Sequence, residues 1–222
     1  FFSPFGAAFG VDLGACLQRV VDSGWYVLGP QVREFETAFA RYVGVRHAVG
    51  VANGTDALTL ALRALGIQPG QRVLTVANAG CYSSTAMAQV GADPGWVDVD
   101  PARLTMAPEA LAAALAEGRV AAVIVTHLYG QMADMPRLTA LCQAAGVPLI
   151  EDCAQAHGAA LHGRRAGAWG TLACFSFYPT KNLGALGVGG AVCTEDAELA
   201  ARFAPLAKQL AEKKAETGKP VR

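Results

Sequence analysis

Short apolar runs alternate along this chain with segments whose apolar residues recur at helical spacing. The runs predict strands at 47–52, 72–76, 95–99, 120–125, 147–150, 171–177 and 190–194. The spaced segments predict helices at 11–23, 31–42, 57–65, 83–90, 108–116, 135–145 and 197–214. Apolar strands without alternation are buried on both faces of a sheet. The pattern therefore predicts an α/β fold, a mostly parallel sheet with helices on both faces in three layers.

The same pattern divides the chain into three parts. Residues 1–29 are predicted to form an N-terminal arm and a helix, and residues 30–200 a large domain. Residues 201–222 continue the last helix into a polar tail rich in lysine and glutamate. We expect this tail to fray, because it has no apolar period with which to pack.

Composition narrows the classes of partner. Hydrophobic residues make up 53% of the 222 residues, which is enough for a sizeable core. The 18 basic and 18 acidic residues cancel, so a nucleic-acid or anionic-membrane partner is not indicated. A small anionic ligand stays possible, because a helix N-terminus binds phosphate without any net charge on the protein.

The six cysteines show no CxxC pair and no metal-ligand spacing, so we expect reduced cysteines and no metal site. The N-terminal residues lack a basic segment followed by a continuous apolar one. No window reaches the roughly 18 apolar residues of a membrane helix. These features predict a cytoplasmic protein that does not span a membrane.

Lys181 follows the predicted strand 171–177 and stands among turn formers and glycines. A lysine between a buried strand and a glycine-rich loop is a candidate Schiff-base nucleophile, since partial burial favours the neutral amine that attacks a carbonyl. A solvated loop lysine is the alternative for any single lysine.

Asp152 stands at the C-terminal end of another predicted strand, where α/β proteins bind ligands. A buried carboxylate there needs a partner. That partner is either a pyridinium nitrogen or, alternatively, backbone N–H groups or His157. A lysine and such an acid are what pyridoxal phosphate requires, because the lysine holds the aldehyde and the acid keeps the ring nitrogen protonated.

The segment 53–56 joins a predicted strand to a predicted helix and contains Gly54, Thr55 and Asp56. It places free N–H groups and a hydroxyl at a helix N-terminus, where a phosphate can bind. A helix cap without a ligand is the alternative. Ser176 could bring a second hydroxyl to the same phosphate, or could bond only to the backbone.

Three ring side chains follow other strand ends. Tyr82 comes after the second strand and could stack on a flat ligand ring, or could be a core or rim tyrosine. His127 and Tyr129 follow the strand 120–125 and could line the same cleft, or could form a hydrogen-bonded pair that supports the loop.

Six stretches resemble the DegT/DnrJ/EryC1/StrS family of sugar aminotransferases, pyridoxal phosphate enzymes of fold type I. The stretches are residues 29–36, 51–58, 97–100, 127–131, 151–159 and 175–187. The resemblance extends from about residue 20 to about residue 196, and its last two motifs are the most specific. The fold implied is the large domain of a fold type I enzyme.

The resemblance also implies roles for individual residues. Lys181 holds the cofactor aldehyde and later moves a proton, and Asp152 pairs with the ring nitrogen. Gln155 lies near the cofactor ring and its phenolic oxygen. The remaining cofactor-binding residues implied are Gly54, Thr55, Asp56 and Ser176 around the phosphate, and Tyr82 against the ring.

The implied reaction moves an amino group from an amino acid, glutamate or glutamine, to a nucleotide-linked keto-deoxysugar, in a homodimer. Lysine at 181 argues against the dehydratase branch, which carries histidine there. Val188 departs from the family, which usually has an acidic residue at that position. The chain ends near the end of the large domain, so we expect the small C-terminal domain to be absent. A non-catalytic or regulatory cofactor-binding relative, or an inactive fragment, is the alternative.

Overall fold

The structure is a computed structural model that describes residues 10, 12–26 and 28–216, apart from the side chains at 204 and 208–216. The predicted arm at 1–29 and the predicted tail at 201–222 therefore lie partly outside the described residues.

A seven-stranded sheet forms the centre of the described chain. Its strands are β1 His47–Val51, β2 Arg72–Val76, β3 Asp93–Val97, β4 Val120–Thr126, β5 Leu149–Asp152, β8 Leu172–Ser176 and β9 Gly190–Thr194. A separate hairpin pairs β6 Ala160–Leu161 with β7 Arg164–Arg165. The sheet order is β1-β9-β8-β5-β4-β2-β3, and within this sheet β9 is the strand that runs against its neighbours. The predicted mostly parallel sheet is confirmed.

Seven α-helices are described, and six of them contribute to the apolar clusters on the two faces of the sheet. They are α1 Leu13–Ser23, α2 Pro30–Val43, α3 Gly54–Ala64, α4 Tyr82–Val90, α5 Pro108–Ala116, α6 Met135–Ala144 and α7 Ala197–Glu216. Helices α2, α5 and α6 share one apolar cluster with Val123, and α3, α4 and α7 share another with Ile124. Neighbouring residues of β4 thus serve opposite clusters, as side chains alternate along a strand. Among the described helices, none combines the length and the apolar character needed to cross a bilayer.

Several element boundaries differ from the predicted ones. Helix α3 begins at Gly54 rather than at 57, because the Asn53 side chain accepts the N–H of Asp56 and caps the helix there. Strand β5 covers 149–152 rather than 147–150, since pairing with β4 and β8 continues through two acids. The hairpin β6–β7 was not predicted. Its strands are too short to show a period.

All six cysteines are free in the structure, and four of them are buried. Their redox state remains a prediction. Burial raises the pKa of the Cys142 thiol to about 11. Burial likewise raises the pKa of Cys153 and Cys174 well above the usual thiol value, so these groups stay protonated and unreactive.

Candidate active site

The carboxyl ends of the parallel strands surround one cavity of about 620 Å³. Its lining includes Thr55 after β1, Tyr82 after β2, Asp152 at the end of β5, Ser176 at the end of β8, and Lys181 in the loop beyond. These residues are far apart in sequence, and the parallel sheet brings their strand ends to one edge. The structure therefore assembles most of the predicted site residues in one place.

The turn before α3 forms one wall of this cavity. Gly54 and Thr55 occupy the first two positions of the helix, whose N–H groups find no acceptor within the helix itself. Gly54 also lies against Ser176, because a Cβ at position 54 would be 2.8 Å from the Ser176 Cβ. The result is a wall of backbone donors and two hydroxyls at a helix N-terminus, which is suited to a phosphate.

Asp56 lines the same cavity but is engaged in the cap. Its N–H donates to Asn53 Oδ1 at 2.9 Å, and its carboxylate accepts from Asn53 Nδ2 at 3.0 Å. Asp56 is buried, so the reciprocal pair fixes the turn that presents Gly54 and Thr55. A direct contact between Asp56 and a phosphate remains a prediction.

Asp152 reaches the cavity from the end of β5 and is only 6% exposed. One carboxylate oxygen accepts the N–H of Ala154 at 3.1 Å, and the other accepts from the Thr126 hydroxyl at 3.5 Å. Burial raises the pKa of Asp152, while the Ala154 hydrogen bond and the charge of Lys181 oppose that rise. A cationic group beside the carboxylate would hold it ionised.

His157, the alternative partner of Asp152, lies elsewhere. Its ring packs between Phe175 and Phe177, with centroid distances of 5.4 and 5.5 Å. Burial lowers the pKa of this imidazole to about 4, so His157 is neutral at physiological pH. Its role in the described chain is to pack against the two aromatic side chains.

Lys181 is held by a tight loop between β8 and β9. Its N–H donates to the carbonyl of Tyr178 at 2.8 Å, and Ala185 donates to the carbonyl of Phe177 at the same distance. The lysine lines the main cavity and also a smaller one of about 320 Å³. Val188, which is expected to depart from the family pattern, lines the main cavity and is 48% exposed.

Gln155 borders the smaller cavity and not the main one, and Lys181 is the predicted site residue with which it shares that cavity. Its Oε1 accepts the N–H of Tyr129 at 2.8 Å. That hydrogen bond leaves its amide nitrogen as the donor available to a ligand. Contact of this amide with a cofactor oxygen remains a prediction.

Tyr82 begins α4 at the edge of the main cavity and is 55% exposed. Its ring lies over Gly80, where a Cβ would be 2.8 Å from the Tyr82 Cε2. It is therefore a rim residue of the cavity rather than a core residue. Stacking of this ring on a cofactor remains a prediction.

Glu151 is a buried acid that sequence analysis did not single out. Its carboxylate accepts from His127 Nε2 and from the backbone N–H groups of Gly167, Trp169 and Gly170, at 2.7 to 3.0 Å. This network ties the end of β4 to the loop that enters β8. The sequence signal that could have identified Glu151 is its place next to Asp152 within a buried strand.

His127 belongs to this support and not to the cavity wall. Its Nδ1 accepts the N–H of Ala133 at 3.2 Å, so Nε2 carries the proton donated to Glu151. Cys153 lies close to His127 and Glu151, and the potential metal-ligand atoms of the three residues lie within 4.8 Å of one another. The hydrogen bonds of Glu151 and His127 account for this geometry as a support of the fold.

The residues present fit pyridoxal phosphate. A helix N-terminus with Thr55 and Ser176 suits the phosphate, a buried carboxylate suits the ring nitrogen, and one amine suits the aldehyde. All of these groups border one cavity. Gly54 lets the helix N-terminus lie directly against Ser176, because a Cβ at position 54 would be only 2.8 Å from the Ser176 Cβ.

Comparisons with known proteins point the same way. The model of the DegT/DnrJ/EryC1/StrS aminotransferase family matches residues 11–219. The dTDP-3-amino-3,4,6-trideoxy-alpha-D-glucose transaminase of Streptomyces venezuelae is 46% identical over 86% of this chain and 50% of its own length. The UDP-N-acetyl-3-dehydro-alpha-D-glucosamine 3-aminotransferase of Acidithiobacillus ferrooxidans is 48% identical over 82% of this chain and 49% of its own.

Solved structures share the fold. The crystal structure of S. venezuelae DesV in complex with a ketimine intermediate superposes with a TM-score of 0.83, at 47% identity, over 86% of this chain and 51% of DesV. The chain spans about half the length of the relatives it matches. Sequence and fold agree: this chain belongs to the DegT/DnrJ/EryC1/StrS aminotransferase family and has the fold of type I pyridoxal phosphate enzymes.

Proposed function

We propose that the protein is a pyridoxal phosphate-dependent aminotransferase that moves an amino group from an amino acid to a nucleotide-linked keto-deoxysugar. The single observation that carries the proposal is the cavity bordered together by Lys181, Asp152 and the turn at Gly54 and Thr55. The relatives are named as transaminases of dTDP- and UDP-linked amino sugars, which supports the class of acceptor. Glutamate or glutamine as donor follows from the family resemblance.

The bound cofactor supplies an electron sink that stabilises negative charge on the substrate carbon. Asp152 is suited to hold the ring nitrogen protonated, because a buried carboxylate gains most from a cationic partner. Thr55 and Ser176 fix the phosphate end. The Lys181 amine, once released from the aldehyde, would accept and return the proton of the substrate carbon as general acid and base.

The proposed assembly is a homodimer. Leu13, Leu17 and Val21 are spaced by four along α1, and each is 43 to 55% exposed. Such a stripe lowers the free energy of a helix when a second copy of the chain covers it. Light scattering should give twice the chain mass, and Leu17→Glu should give the monomer. An unchanged mass in that variant would count against this interface.

The proposal also includes a cytoplasmic location, which the free cysteines support.

Absorbance spectroscopy tests the proposed activity. The chain loaded with pyridoxal phosphate should show the visible band of lysine-bound cofactor. Lys181→Ala should remove it, and so should Lys181→Arg, which keeps the positive charge but cannot supply a neutral amine. Circular dichroism of both variants checks that they fold. A folded wild-type chain without the band would reject the proposal.

A half-reaction separates catalysis from binding. Glutamate or glutamine added to the loaded chain should convert the bound cofactor to pyridoxamine phosphate, with loss of the visible band. A band that persists with both amino acids would replace the proposal with the alternative of a non-catalytic cofactor-binding protein.

A further inference from the structure

Tyr129 has an unfavourable backbone conformation at the end of β4. Its φ of 57° and ψ of 21° are left-handed, in a short 3₁₀ turn at Leu128–Gly130. A bulky L-residue rarely adopts this conformation, because its Cβ approaches the carbonyl oxygen. Strain of this kind persists where the surroundings hold it, and it concentrates at functional sites.

The surroundings of Tyr129 do hold it. Its N–H donates to Gln155 Oε1 at 2.8 Å, and Gln131 closes the turn by donating to the carbonyl of Leu128 at 3.0 Å. Gly130 follows with a φ of 80°, where an added Cβ would lie 3.1 Å from the carbonyl oxygen of Gln155. The backbone at Tyr129 and Gly130 is therefore held by Gln155, which lies in the loop that follows β5.

The side chain on this fixed backbone is 78% exposed in the described chain. A tyrosine that leaves most of its ring in water gains little from burial, so packing does not explain its place. The ring borders the 320 Å³ cavity, which also contacts Lys181. An exposed aromatic side chain on a fixed backbone, beside Lys181, is a contact surface for a ligand.

The lining of this smaller cavity indicates the chemistry of that ligand. Besides Lys181 it is lined by Tyr129, Gln155, Thr180 and Asn182, whose side chains carry one phenol, two amides and one hydroxyl. These are neutral donors and acceptors beside an aromatic face. They match a ring that carries several hydroxyl groups on one side and C–H groups on the other. The two cavities adjoin, since Thr180 and Lys181 line both, so a substrate in the smaller cavity would lie next to Lys181.

We infer that Tyr129 is a specificity-determining residue that contacts the sugar ring of the acceptor substrate in the cavity beside Lys181. The inference rests on the proposed function. In it, Gln155 has a positioning role: it holds the Tyr129 backbone through its oxygen and leaves its amide nitrogen to the ligand.

The test compares the affinities of dTDP-glucose and dTDP for the chain loaded with pyridoxal phosphate, measured by calorimetry. Tyr129→Asn removes the ring, and asparagine adopts the left-handed conformation more readily, so the variant should melt no lower than the wild type. We expect it to bind dTDP-glucose about fivefold to tenfold more weakly, with dTDP affinity unchanged. The affinity of Tyr129→Phe for dTDP-glucose should lie between those of the wild type and Tyr129→Asn.

His162→Asn is the matched control, because His162 is also left-handed, with a φ of 51°, but lies in the turn of the β6–β7 hairpin. It should bind both ligands as the wild type does. Equal affinity of the wild type and Tyr129→Asn for dTDP-glucose would overturn the inference, as would a wild type that binds dTDP-glucose no more tightly than dTDP.

The visible band of lysine-bound cofactor, recorded on the same samples, distinguishes the two possible failures. Its absence from the wild type would reject the proposed function. Its presence together with an unchanged affinity in Tyr129→Asn would reject only the role of Tyr129.

Discussion

Replacing Gly54 by alanine should separate the turn proposed to bind phosphate from the strand beside it. The new Cβ would lie 2.8 Å from the Ser176 Cβ, 3.3 Å from its Oγ and 3.4 Å from its Cα. The first distance is well inside van der Waals contact. Because all three atoms belong to a buried residue at the end of β8, no flexible side chain can move aside.

The magnitude follows from two opposing terms. Overpacking of a dense site typically costs about 1–3 kcal/mol. Alanine is the better residue within a helix and returns about 0.5–1 kcal/mol. We therefore expect Gly54→Ala to lower the free energy of unfolding by about 1–2 kcal/mol. For a domain of this size, that corresponds to a melting temperature lower by roughly 3–6 °C.

Urea unfolding and titration with pyridoxal phosphate are the assays. Cofactor affinity should fall about tenfold, since a shift of one wall misaligns donors that must meet one phosphate. Gly187→Ala is the control, because among the described atoms nothing lies within 4 Å of a Cβ placed there. In the double variant Gly54→Ala/Ser176→Gly the closest contact is absent, so the stability lost through Gly54→Ala should be largely restored.

Two results would refute this reasoning. One is a Gly54→Ala chain that is as stable as the wild type and binds the cofactor equally well. The other is an additive double variant, which would show that the two positions do not press on each other.

Three further predictions concern buried groups. Glu151→Gln places an amide N–H₂ group among four hydrogen-bond donors, so it should lower the free energy of unfolding in urea by about 3–5 kcal/mol. The control Glu117→Gln, which removes a surface salt bridge, should lower it by less than about 1 kcal/mol. Equal losses in the two variants would contradict the proposed network around Glu151. The low pKa of His157 should make the free energy of unfolding fall as pH drops from about 6.5 towards 4, because the unfolded chain binds the proton first. The loss should be about 1–2 kcal/mol for this partly exposed ring. His157→Phe should remove this part of the pH dependence, and an unchanged dependence would contradict the assignment to His157. In the native chain a thiol reagent should modify Cys81 quickly and Cys153 only on unfolding, and rapid reaction of Cys153 would contradict its burial.

The sequence by itself determined the architecture and pointed to the candidate pair Lys181 and Asp152. Strand and helix periods are local properties, so the sheet and both helix layers could be predicted without knowledge of contacts. Lys181 and Asp152 could be singled out as candidates for a related reason, because Asp152 ends one buried strand and Lys181 lies in the loop after another, at the edge where the parallel strands end. The family motifs around them strengthened that prediction.

Only the tertiary structure decided how the remaining polar residues are used. His127 and Tyr129 are two positions apart, yet one is buried against Glu151 and the other is exposed beside Lys181. The contact of Gly54 with Ser176, the four donors to Glu151 and the placement of Gln155 in a second cavity likewise join distant segments. Such contacts depend on strand register and loop geometry, which bring together groups whose spacing along the chain carries no record of their distance in space.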